Sequence, residues 1–408
     1  MKTLQPAGYR ALLSVPGFAR LYAGMLFGRV GGSMFNVALV LFVLQRYHSP
    51  QLAGLATFLS IFPGLVVSPL AGALLDRHGR ARLVVLDYLI AAFTVALIAV
   101  LSARQSLPSG VLLAIVGIGS LTNPLSNTGA RSLFPLIAPP AMWERANALD
   151  SSGHVIAQLL GAPLAGVLVS VVGPEWAIAS CGAVFAAAAV VMLRLPEPAT
   201  TAATQGSILL NAWRGLHYVV RNATLRGLAL TISTFNLSWG ILYIAIPVLV
   251  LDRLHSGPAA VGFLWGAMGG AGLIAALITG RMSTRGRERQ MMFGAILISA
   301  AAFALLPFAG ALAVVAVVLL VVGAANGPLD IAMFTVRQRR TDPAWFGRAF
   351  AVSMSVNWVG TPIGAAFAGP LIAWSLNVAL WAAVVIALVA AVFPLLVVPA
   401  RDVPSARA

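Results

Sequence analysis

The sequence predicts an all-α membrane protein of twelve transmembrane helices in two pseudo-symmetric six-helix halves, and three observations lead there. Of 408 residues, 60% are hydrophobic and 9% charged, too little polar surface to cover a water-soluble globule. Apolar runs of about 20 residues, long enough to cross a bilayer core, recur from near Leu21 to Val398, broken by short polar or Pro/Gly-rich connections. The chain also matches itself at a shift of about 200 residues, which marks a duplicated unit.

The first half, 1–194, holds spans at 20–45, 51–75, 83–103, 108–130, 148–172 and 175–194. Lys2 and Arg10 precede the first run, but no short apolar core with a small-residue cleavage site does, so this span is expected to be retained. A cytoplasmic linker follows at 195–226: the polar stretch PEPATTAATQGS, then the amphipathic NAWRGLHYVVRNATLR, suited to a membrane interface. The second half, 227–408, holds spans at 227–251, 258–280, 290–309, 311–334, 348–374 and 376–398. Four pairs of stretches align the halves in order: GRAR at Gly79 with GRER at Gly286, NPLSN at Pro124 with GPLDI at Pro328, WERANA at Arg145 with FGRAFA at Arg348, and LLGAPLAG at Pro163 with WVGTPIGA at Pro362.

Charge fixes the expected orientation. Basic residues from Lys2 and Arg10 through the Arg77 to Arg82 group, Arg131, Arg145, Arg194, the Arg281 to Arg289 group, Arg337, Arg339 and Arg340 to Arg407 flank one side of the twelve-span pattern. Arg46, Arg104 and Arg253 flank the other. This asymmetry places both termini in the cytoplasm of a multi-pass cell-membrane protein, a bacterial inner membrane being the expected address. Because the net charge of +15 is dealt out loop by loop, it calls for the lipid bilayer as partner and for no nucleic acid. Cys181 is the only cysteine, so no internal disulfide can form.

Several chemistries are excluded. Lys2 is the only lysine, so there is no GxxxxGK[ST] loop for ATP. The absence of HExxH, of GxSxG and of paired histidines at metal-ligand spacing leaves no visible machinery for an enzyme, a metal or a cofactor. Duplicated membrane halves instead enclose a central site and alternate its access.

Inside the spans the ionisable residues are Arg29, Asp87, Asp150, His154 and Asp330, each costly in a bilayer without a role or a partner. Asp150, His154 and Gln158 fall at i, i+4 and i+8, one stripe on a helix. The stripe suits proton transfer, with histidine titrating near neutrality; it equally suits a first-turn carboxylate with a packed, neutral histidine. Arg29, Ser33 and Asn36 share a face of span one. Asp330 stands where the first half has Ser126, and it reads either as a coupling or substrate group or as the partner of an arginine. Asp87, five residues after Arg82, is expected to pair with that basic loop. The proton-coupling candidates are therefore Asp330, His154 and Asp150, and the cavity candidates Arg29, Ser33, Asn36, Asn123, Gln158, Asn236, Trp239, Tyr243, Asn326 and Asn357. Gly262, Gly266 and Gly270 recur every fourth residue and permit close helix approach, as do Gly161, Pro163 and Gly166.

Over essentially its whole length the chain resembles the major facilitator superfamily. The loop after span two matches that superfamily's GxLxDRxGR pattern through Gly72, Leu74, Asp76, Arg77, Gly79 and Arg80. NPLSNTGARSLFPLIAPPAMWERANAL, followed by GAPLAG, resembles the third drug:proton antiporter family, which includes macrolide-efflux proteins and the enterobactin exporter, although Ala162 here separates the Gly161 and Pro163 that the antiporter signature joins. The resemblance implies that Asp76 latches the loop against the start of span eleven, near Phe346 to Arg348. It implies a central cavity lined by span one and by the span carrying Asp330. It also implies that the glycines of spans five and eight meet as a gate. The expected function is secondary, proton-coupled efflux of a small amphipathic molecule, drug-like or a siderophore, by a monomer. Proton-coupled uptake of a small solute is the first alternative, and a non-transporting membrane sensor or scaffold the second.

Overall fold

The computed structural model describes residues 9–195, 208–281, 284–342 and 346–400; side chains at 72, 73, 76, 144, 208–212 and 346–351 lie outside the description. Among the described residues, twelve helical spans are long and apolar enough to cross a membrane. They are Phe18–Tyr47, Pro50–Ala71, Arg80–Ala103, Ser109–Ile137, Arg145–Val172, Pro174–Met192, Ala223–Arg253, Pro258–Thr279, Glu288–Phe308, Leu312–Arg340, Val352–Trp374 and Leu376–Val397. We number them one to twelve. No strand occurs among the described residues.

Two spans run furthest past their expected ends. Span four continues to Ile137 and span ten to Arg340, where the apolar pattern alone stops at 130 and 334. In both, the reading halted just before an arginine, Arg131 and Arg337, that the helix carries onward. Span four is itself two helices, Ser109–Ser120 and Asn123–Ile137, with Leu121 and Thr122 between them.

The repeat reappears in the backbone. Gly79, just before span three, has φ +90°, and its counterpart Gly286, just before span nine, has φ +81°. A side chain is strained in this left-handed region, so glycine is the residue for both turns.

The chain divides into two compact units, residues 1–38 with 63–206 and residues 39–62 with 207–408. In the first, span three packs on spans four and six, and span five on span six. In the second, span seven packs on spans eleven and twelve, span eight on span ten, and span nine on spans ten and twelve. The pairs three with six and nine with twelve are the same contact in the two copies.

A second repeated contact uses glycine. A Cβ on Gly161 of span five would lie 2.5 Å from the Ser33 Cβ of span one and 3.0 Å from the Met34 nitrogen. A Cβ on Gly360, its counterpart in span eleven, would lie 2.8 Å from the Ser233 carbonyl carbon and 2.8 Å from the Leu237 nitrogen of span seven, and one on Gly364, a turn later, 3.0 Å from the Gly240 Cα. Small residues allow such backbone approach where lipid offers no hydrophobic drive between helices. The linker's amphipathic segment is a helix, Ile208–Arg221. It exposes Trp213, tucks Val219 against Leu225 and Val352, and accepts the Asp342 amide on the Tyr218 hydroxyl.

Candidate functional site

In the first unit, three spans converge on one carboxylate. Arg29 of span one donates through Nη2 to Asp150 Oδ1 at 2.5 Å and through Nη1 to the Asp150 carbonyl at 2.7 Å. Arg131 of span four approaches the other carboxylate oxygen, Nε to Oδ2 at 3.1 Å. The side chain of Asp150 is 3% exposed, that of Arg29 13% and that of Arg131 61%. Gly153 is buried beneath this group, and a Cβ there would stand 3.0 Å from Arg29 Nη1, so the helix surface is left bare where the guanidinium lies on it. Two cations against one anion leave the cluster with a net charge of +1.

The stripe on span five therefore changes character along its length. Asp150 is buried and shared, whereas His154 and Gln158 are exposed, with no hydrogen bond or ion pair among the described residues. Ser33 lies against Gly161, and Asn36 is exposed. The Asn123 carbonyl accepts from the Asn127 amide at 3.1 Å and the Ser126 hydroxyl at 3.3 Å. Arg131, expected as a cytoplasmic flank, also closes an ion pair, and span four continues as helix on both sides of it.

Asp87 does not pair with the basic loop, as its nearness to Arg82 suggested. Positions five apart are about 140° apart around a helix at 3.6 residues per turn, and Asp87 turns instead toward span four. Asp87 is 2% exposed and lies beside Thr122 and Ser126, and its Oδ1 has no hydrogen-bond partner among the described residues. Ser126 is in the first turn of the helix that restarts at Asn123, where amides lack helical acceptors and no local side chain caps them. The Asp87 carboxylate is thus placed beside that helix start, where an anion is favoured.

In the second unit the repeat distributes its charge differently. The position matching Asp87 is Gly294, the one matching Ser126 is Asp330, and span ten runs unbroken from Leu312 to Arg340. With no interrupted helix to cap, Asp330 is exposed and has no hydrogen-bond or ion-pair partner among the described residues. Asn326, one turn earlier, is partly buried.

Other predicted residues of this unit serve its interior. The Asn236 side-chain amide donates to the Asn357 carbonyl at 2.8 Å. Asn357 is 1% exposed; with its amide oriented by its neighbours, it donates to the Ser353 carbonyl at 3.0 Å and accepts from Arg337 Nη2 at 2.6 Å. Arg337, expected as a cytoplasmic flank, is 0% exposed and stands over the Phe334 ring. Trp239 and Tyr243 belong to one aromatic cluster: Trp239 contacts Phe303 edge-on at 5.4 Å and Trp265 at 6.0 Å, and Tyr243 stacks on Trp265 at 5.0 Å. A single aromatic in an apolar run carries no sign of such a cluster.

In the loop after span two, Arg77 is exposed and Arg80 donates to the Ser132 carbonyl at 3.1 Å, tying the loop to span four. The side chains of Gly72 and Asp76, and those of Phe346 to Arg348, lie outside the described residues, and the expected latch with them. Pro163 and Gly166 sit in span five beyond Gly161; Gly262 and Gly266 of span eight are buried and Gly270 partly so.

The comparisons with known proteins follow this architecture. The family model described as Major Facilitator Superfamily matches residues 21–364 and 228–408. An uncharacterized MFS-type transporter, y4rN of Sinorhizobium fredii, is 38% identical, covering 96% of this chain and 97% of its own. The multidrug efflux pump Tap of Mycolicibacterium fortuitum is 26% identical over 87% of each chain. Among solved structures, the nucleoside transporter NupG superposes with a TM-score of 0.76 at 12% identity, covering 92% of this chain and 98% of that one. With twelve spans, a duplicated six-helix unit and a family match running nearly from end to end, the chain is a multi-pass membrane protein that belongs to the major facilitator superfamily of transporters.

Proposed function

We propose that the protein exports a small amphipathic molecule, drug-like or a siderophore, in exchange for protons by alternating access, with both termini in the cytoplasm and Asp330 as the proton carrier. Coupling needs a group whose affinity for a proton differs between the two access states. The observation that carries the reading is Asp330 itself, exposed and without a partner among the described residues, about ten residues, or ~15 Å, from the helix end at Arg340. Of the other intramembrane carboxylates, Asp150 is held by two arginines and Asp87 is buried beside the start of the helix at Asn123. In this reading Arg29, Arg131 and Asp150 set the charge of the first unit's polar cluster, beside the exposed His154 and Gln158. Export as the direction follows the similarity to a chain named as a multidrug efflux pump.

The test is transport in proteoliposomes under an imposed pH gradient. One pH unit is worth about 1.4 kcal/mol, enough for roughly tenfold accumulation per proton exchanged. Asp330→Asn should abolish gradient-driven accumulation and leave downhill exchange measurable. Continued accumulation by Asp330→Asn overturns the assignment to Asp330, and accumulation in the same direction as the proton flux makes the protein an uptake symporter.

A further inference from the structure

Arg253 closes span seven in a π-turn, Leu249–Arg253, at the membrane face where span twelve begins. It donates through Nη1 to the Pro307 carbonyl at 3.1 Å and through Nη2 to Asn377 Oδ1 at 2.7 Å. Both acceptors are neutral. Asp252 and His255 flank it in sequence, both exposed, and neither forms an ion pair with it among the described residues. A guanidinium has five N–H groups; two are used, so three remain for an anion.

From Asn377 a shallow, open groove of about 490 Å³ runs along one face of span twelve, lined only by residues of that helix, Trp381, Ala382 and Val385 among them, and almost wholly apolar. Phe308, next to the carbonyl that Arg253 holds, meets Trp381 edge-on at 6.0 Å and is 76% exposed. The lining ends at Ile386, nine residues past Asn377. At 1.5 Å per residue that is ~13 Å, close to half of the ~30 Å hydrocarbon core, the depth of one leaflet.

We propose that this is a binding site for one anionic phospholipid, its phosphate on Arg253 and Asn377 and an acyl chain in the groove beside Trp381. The charge of Arg253 selects the headgroup, since an arginine fork matches phosphate geometry. The length of the groove selects a lipid chain over a compact solute. By the loop-charge asymmetry this is the outer leaflet.

The test is native mass spectrometry of the delipidated full chain in detergent, titrated with phosphatidylglycerol or phosphatidylcholine of the same acyl chains. One phosphatidylglycerol should be retained at least tenfold more tightly than phosphatidylcholine. Arg253→Gln should lower phosphatidylglycerol to the phosphatidylcholine level, and Ala382→Trp, which fills the groove without touching a hydrogen bond, should weaken both. Should Arg253→Gln fail to fold, Ala382→Trp decides alone. Equal retention of the two lipids by the unmodified chain, or unchanged retention by Ala382→Trp, overturns the proposal.

Discussion

Asp150→Asn isolates the polar cluster of the first unit with little change of shape. The substitution removes the charge that faces both Arg29 and Arg131, and the three exposures set its size. Asp150 and Arg29 are nearly enclosed, at 3% and 13%, while Arg131 is 61% exposed. Breaking a buried pair by neutralising one partner costs about 3–5 kcal/mol, because the other charge stays behind in a poor solvent. An exposed pair contributes about 0–1 kcal/mol. Asp150→Asn and Arg29→Gln should therefore each cost on the order of 3 kcal/mol, roughly a hundredfold in the folding equilibrium, and Arg131→Gln no more than about 1 kcal/mol. The double variant Arg29→Gln, Asp150→Asn should cost less than the sum of the two, since neither leaves the other's charge stranded. The chain carries its own reporter: Cys181, the only cysteine, is 0% exposed in span six. A thiol-reactive fluorophore added during heating in detergent brightens only as that span opens. If Arg131→Gln lowers the transition as far as Asp150→Asn, or if the double variant is fully additive, the cluster is not organised around a buried Arg29–Asp150 pair.

Gly364→Ala should destabilise by about 1–3 kcal/mol, because its Cβ would press into the Leu237 and Gly240 backbone. Gly294→Ala, with nothing within 4 Å of its Cβ, should be neutral or stabilise by up to about 1 kcal/mol in the same thermal assay. Equal effects would show that seven and eleven do not meet as described. For orientation, cysteines placed singly at Ser207 in the linker and Ser256 between spans seven and eight should label from opposite sides of the membrane with an impermeant maleimide, against low background from buried Cys181. Labelling from the same side would reverse the assignment of the termini.

The twelve spans were legible because run length and polarity suffice to define a bilayer crossing, whatever the crossing packs against. Their ends were least legible where an arginine interrupts the apolar pattern. Arg131 and Arg337 look like water-seeking flanks in sequence, yet the first pairs with Asp150 and the second is wholly buried beside Asn357. Whether a basic residue leaves a membrane or finds an acceptor within it depends on residues far along the chain. Arg29 and Asp150 are 121 positions apart, and no periodicity reports that distance. Asp87 shows the reverse error, in which a neighbour in sequence was chosen over one across the helix pair. The duplication was the more penetrating signal. Setting Ser126 against Asp330 singled out a position deep in a span where the second copy carries a carboxylate and the first a serine, and the structure adds that the first copy's nearby acid lies beside a broken helix that the second copy lacks.

Where Gly240, Gly360 and Gly364 bring spans seven and eleven together, the nearest atoms on each side are backbone. A side chain can change rotamer to accommodate a shift, but two main chains in contact over successive turns cannot slide or separate by small steps. The pair is in effect a single strut, and any bending during a working cycle falls where the strut is interrupted. In span seven that is Pro247 and the π-turn Leu249–Arg253. In span eleven it is Val359, between the helices ending at Trp358 and starting at Gly360, where the flanking bonds from Val359 to Val356 and from Ile363 to Val359 stretch to 3.3 and 3.5 Å.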